Sequence, residues 1–99
     1  MSSEPNTTGL VLFLAERYLP HPGERVARAD AARARGASEL LAQEGTEVRY
    51  LESTLVPVDE ICFALFEAHS IEQVAQLIKR AAIPYEHIVE AVRLEAARA

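Results

Sequence analysis

Cysteine is almost missing from this chain of 99 residues: Cys62 is the only one. No intrachain disulfide can form, and nothing points to an oxidising compartment. Positive charge is also short. Ten Lys and Arg stand against fifteen Asp and Glu, a net charge of -5, which argues against a nucleic-acid partner. The arginines of residues 25–35 are interrupted by Asp30, with Glu24 just before them, and read as a solvated helix face. The apolar run LVLFLA, residues 10–15, is six residues long. It is too short for a membrane span or a secretory core, and the polar start MSSEPNTTG lacks a basic region. The expectation is a cytoplasmic protein with no membrane partner. The chain has no Walker loop, dinucleotide fingerprint, GxSxG, HxxxH or CxxC.

What the sequence does have is punctuation. Residues 1–8 read as a loose polar leader and residues 9–96 as one domain. Branched and aromatic residues make 10–19 a strand, closed by His21-Pro22-Gly23. Residues 24–43 are rich in Ala, Arg, Leu and Glu and favour a helix. Val26, Ala29, Arg33, Ala37, Leu40 and Leu41 lie near one face of it, Gly36 is a weak point, and Gly45 is a natural stop. Strands are expected at 46–56 and 60–68 around the turn Pro57-Val58-Asp59. Ser70 with Gln73 has the spacing of a capping box. The helix it opens ends before Pro84, and residues 87–95 form a last strand.

The order β-α-β-β-α-β predicts an α+β, ferredoxin-like fold. Its four-stranded antiparallel sheet would have order 4-1-3-2, with both helices on one face. The other face is left bare, and a bare apolar sheet face marks an interface or ligand site. Suppose Val56 opposes Glu60. Leu51, Ser53 and Leu55 then lie with Leu65, Phe63 and Ile61 under the helices. Val48, Tyr50, Glu52 and Thr54 share the open face with Ala68, Phe66, Ala64 and Cys62. A slip of one residue would reverse these partners.

In this register Glu67 meets Arg49 as an ion pair, while no cation opposes Glu52. Glu16, Tyr50, Glu52, Cys62 and Phe66 are the candidate pocket residues, with Glu52 the candidate acid or base. Cys62 has no histidine forced close to it as a base and reads as a small packed side chain. The topology brings His21, His87 and Asp59 to one edge of the sheet, and this donor set suits nickel, zinc or copper.

Several stretches carry a family resemblance: AERYLP, then EGTEVRYLESTLVPVDEICFALFEAHS, then AAIPYEHIVEAV. From about Leu10 to Leu94 the chain resembles a small ferredoxin-like family named for a nickel-responsive protein, formerly a domain of unknown function. The matching residues are Glu16, Arg17, Ser53, Asp59, Cys62 and Phe66. The resemblance implies a homodimer and, for at least some members, nickel binding.

The leading expectation is a dimeric protein that binds a transition metal or a small molecule at the sheet face or edge. The alternative is a cofactor-independent enzyme of monooxygenase, isomerase or cyclase type. Glu52 would be its acid or base and Tyr50 and Phe66 its walls. A third reading is an interaction module with no ligand.

Overall fold

A computed structural model describes residues 9–94. The expected leader, residues 1–8, and position 95 of the last predicted strand lie outside the described residues; the described residues 92–94 are not strand, so that strand is shorter than expected. The elements run β1 (Val11–Tyr18), α1 (Glu24–Gln43), β2 (Val48–Val56), β3 (Ile61–Ala68), α2 (Ile71–Ala81) and β4 (His87–Ala91). The sheet order is β2-β3-β1-β4 with every pair antiparallel, which is the expected 4-1-3-2 read from the other edge. Among the described residues no helix is long and apolar enough to cross a membrane.

Each element ends for a local reason. Gly23, at a φ of 57°, precedes α1, and Glu24 sits in the first turn, where the exposed backbone N–H groups favour a carboxylate. Gly36 does not split the helix, because one glycine costs only about 1 kcal/mol in a helix of this length. Gly45, at a φ of 94°, turns the chain out of α1 while its N–H donates to the Ala42 carbonyl. The Ser70 hydroxyl caps α2 by accepting from the Gln73 N–H. The Gln73 side chain reaches back one residue further than in the usual capping box, to the His69 N–H at 2.9 Å.

Both helices lie on one face of the sheet and share its core with Phe13, Ala15, Val48, Ala64, Phe66 and Ala68. Phe66 is fully buried and stacks edge-on with Tyr50 at 5.7 Å and Tyr85 at 6.1 Å. Such aromatic pairs are each worth about 0.5–1.5 kcal/mol beyond their burial. The buried stripe of α1 is Ala27, Asp30, Ala34, Ala37 and Leu41. Of the face expected from periodicity only Ala37 and Leu41 belong to it; Val26 and Leu40 are exposed.

The register corrects the expected faces. The turn after β2 is one residue longer than expected, so Val56 pairs with Ile61 rather than Glu60. A β-bulge at Leu51 then absorbs the shift, and Tyr50↔Phe66, Arg49↔Glu67 and Val48↔Ala68 pair as the sequence predicted. The side of the sheet is reversed along β3. Cys62, Ala64, Phe66 and Ala68 are buried under the helices, while Ile61, Phe63, Leu65 and Glu67 face away from them. Val48 and Tyr50 turn inward too. Ser53 and Leu55 stay inward as expected, paired with Ala64 and Cys62.

Candidate functional site on the open sheet face

The uncovered face is built by the alternate residues of four strands. β1 gives Leu12, Leu14, Glu16 and Tyr18, and β3 gives Ile61, Phe63, Leu65 and Glu67. Glu52, Thr54 and Val56 of β2 flank them on one side, and His87, Val89 and Ala91 of β4 on the other. The centre is therefore Leu12, Leu14, Phe63, Leu65 and Val89, and the charged groups lie around it. Two of those groups pair as expected: Arg49 Nη1 is 3.5 Å from Glu67 Oε1.

The candidate pocket residues divide between two faces. Glu16 and Glu52 stand on the open side. Tyr50, Cys62 and Phe66 lie on the helix side, because the bulge at Leu51 reverses the alternation between Tyr50 and Glu52. Glu52 thus has neither Tyr50 nor Phe66 as a wall. It lines a shallow hollow of about 320 Å³ with Leu12, Leu65, Ala91 and Arg93. Burial, and then the nearby charge of Asp30, push the Cys62 thiol up, so it stays a neutral thiol.

The candidate metal ligands fare differently from one another. Glu16 and His87 are direct cross-strand partners. Opposed residues of an antiparallel pair point to one face with Cβ atoms about 4.5–5.5 Å apart, so a carboxylate and an imidazole stand side by side on the open face. Asp59 lines a hollow of about 210 Å³ with Glu16 and Glu86 at the same end of the sheet. His21 is exposed, and its backbone N–H donates to Glu60 Oε2 at 2.9 Å. His69, at the far edge, meets Glu47 at 3.0 Å. Among the described residues no group of three or more His, Cys, Asp and Glu side chains is placed to hold a metal ion. The described residues thus offer the paired oxygen and nitrogen donors of Glu16 and His87, which suit nickel or zinc in kind, but not a full ligand set.

Glu60, at this same end, also accepts from the Tyr18 hydroxyl at 3.0 Å. The His21 N–H first, and the Tyr18 hydroxyl second, hold its carboxyl below the usual range. A depressed folded-state value stabilises the fold above the unfolded value, about pH 4.3 for glutamate. That contribution is lost as the pH falls through the lowered value. Replacing Glu60 with Gln is expected to flatten the acid side of a urea-midpoint-against-pH profile below about pH 4.3 while leaving its shape near neutrality unchanged. An unchanged acid limb would show that these hydrogen bonds do not tie protonation to folding.

Sequence reasoning missed one charged group that the fold makes central, Asp30. It is 2% exposed, and it binds Arg17 Nη1 through Oδ2 at 2.6 Å and Arg33 Nη2 through Oδ1 at 3.0 Å. The available signal was its place in the series 27-30-34-37-41, the inward stripe of α1.

The family model described as "Nickel responsive protein SCO4226-like" matches residues 13–91, from β1 through β4. No curated protein and no solved structure matches the chain.

Proposed function

The chain belongs to the SCO4226-like family of nickel-responsive proteins, and from that premise we propose that it is a homodimeric metal-binding protein that pairs through its open sheet face. The observation that carries this reading is the bare face itself, apolar at its centre with Glu16 and His87 side by side at one end. Strands about 4.8 Å apart, rising about 3.3 Å per residue, outline a face of roughly 20 by 25 Å. An area of that order suits the roughly 800 Å² per partner of a standard interface. A second copy offers the same apolar surface, as a two-fold interface requires.

Dimerisation also answers the incomplete ligand set. Glu16 and His87 would hold a divalent ion such as nickel, with the remaining donors supplied across the interface. Carboxylates outnumber cations on this face, Glu16, Glu52 and Glu67 against Arg49 and Arg93, which favours a cation.

Sedimentation and native mass spectrometry of protein purified without a histidine tag, with nickel titration by calorimetry, test this. A dimer is expected at micromolar concentration. Glu16→Gln and His87→Ala are each expected to weaken nickel binding about tenfold or more. A monomer across the concentration range would overturn the dimer. Unchanged nickel affinity in both variants would overturn the site.

A further inference from the structure

The layer between the helices and the sheet contains a second feature, distinct from the open face. Where α1 crosses β2 and β3 it presents Ala27 and Ala31. With no larger side chain there, a cavity of about 370 Å³ remains between the helix and Tyr50, Ser53, Leu55 and Cys62. That is within the usual range for small-molecule sites, about 300–1,000 Å³.

The chemistry of its wall is uneven. Ala27, Ala31 and Leu55 are apolar. At the other end the Tyr50 hydroxyl and Ser53 Oγ are 2.6 Å apart. Each hydroxyl carries one proton, and their mutual bond uses only one of the two. Beside them the Tyr85 hydroxyl is enclosed and lies near Ser53, but makes no hydrogen bond of good geometry among the described residues. Burial, then the nearby Cys62 and Asp30, push its ionisation far above neutrality, so it remains a donor. Asp30 is already committed to Arg17 and Arg33. The Tyr50–Ser53 pair therefore keeps one hydroxyl proton free to donate to an occupant's acceptor.

The mouth says what charge the occupant carries. Glu24 and Arg28 line it, both largely exposed and paired with each other, with Arg28 Nη2 at 2.7 Å from Glu24 Oε2. No unpaired charge lines the cavity, and Cys62 is a neutral thiol. A charged occupant would lose its water without a fixed counter-charge.

We propose that this cavity binds an uncharged aromatic compound with a carbonyl acceptor. The carbonyl oxygen accepts from the Tyr50–Ser53 hydroxyl pair, and the ring lies against Ala27, Ala31 and Leu55. The site is independent of the open face and of any metal there.

Amide-resolved NMR titration of the full chain with acetophenone, and with benzoate as its charged counterpart, tests the assignment. Saturable shifts are expected at Tyr50, Ser53, Leu55 and Cys62, with a dissociation constant of about 1 mM or tighter. Benzoate should bind at least about tenfold more weakly. Ala31→Leu, which fills the cavity from the helix, should abolish the shifts. Tyr50→Phe, which leaves the cavity's size nearly unchanged, should weaken binding several-fold and keeps the test decisive should Ala31→Leu fail to fold. The proposal is overturned by shifts that do not saturate, by equal affinity for benzoate, or by undiminished binding in either folded variant. Shifts confined to Leu14, Phe63 and Leu65 would also overturn it, by placing the ligand on the open face.

Discussion

Asp30→Ala is expected to destabilise the fold by about 3–5 kcal/mol, the cost of leaving one partner of a buried ion pair unpaired. The burden falls on Arg17. Its side chain is 15% exposed, and its guanidinium is held between β1 and α1 by Asp30 Oδ2 at 2.6 Å. Arg33 contributes little to the loss. It is 47% exposed, turns to water readily, and keeps its bond to the Ala81 carbonyl at 2.9 Å. A domain of this size has only about 5–15 kcal/mol of stability in total, so the variant should unfold at a much lower urea midpoint. A second variant separates charge from packing. Arg17→Met with Asp30→Leu removes both charges and should recover most of the loss, because no unpaired ion is left in the layer. A loss below about 1 kcal/mol for Asp30→Ala would mean that Arg17 reaches water in the variant.

The same network shows where the sequence was readable and where it was not. Residues that act through backbone geometry were plain: Gly23 and Gly45 bound α1, and Ser70 caps α2. Together they gave the element order, and hence the topology. Facing was not plain. β3 reads ICFALFEA, apolar at nearly every position, so alternation carried no signal. The more uniformly apolar face, with Ile61, Phe63 and Leu65, was expected under the helices, and the structure puts it on the other side. The helices take the side with Cys62, Ala64, Phe66 and Ala68. Nor did anything in YLES announce the bulge at Leu51, which depends on pairing with β3. The candidate site inherited these errors unevenly. Strand order alone set the end of β1 beside the start of β4, but the pairing of Glu16 with His87, which the sequence had assigned to separate sites, came from the register. Glu52 parted from Tyr50 and Phe66 because their grouping needed the register.

Leu65→Asp is expected to turn the proposed dimer into a monomer at micromolar concentration while leaving the fold in place. Leu65 stands on β3, an inner strand of the sheet, opposite Leu14 of β1 and Glu52 of β2. In a single copy it is only half-buried, so an aspartate there keeps access to water and costs the isolated chain little. Across a two-fold interface each substitution counts twice. Two carboxylates would be buried without partners in an apolar centre and would repel each other as well. A penalty of about 4 kcal/mol or more follows, a weakening of about a thousandfold. Sedimentation equilibrium reads this directly, and Leu65→Met, which keeps volume and polarity, should leave the association unchanged. Nickel binding then locates the missing donors. Glu16, with its partner His87, is the next residue on the same face after Leu14, the partner of Leu65, and neither is itself changed by the substitution. Loss of nickel affinity together with the dimer means that the second copy completes the site. Full affinity in the monomer means that one chain and water suffice, and that the open face serves assembly alone.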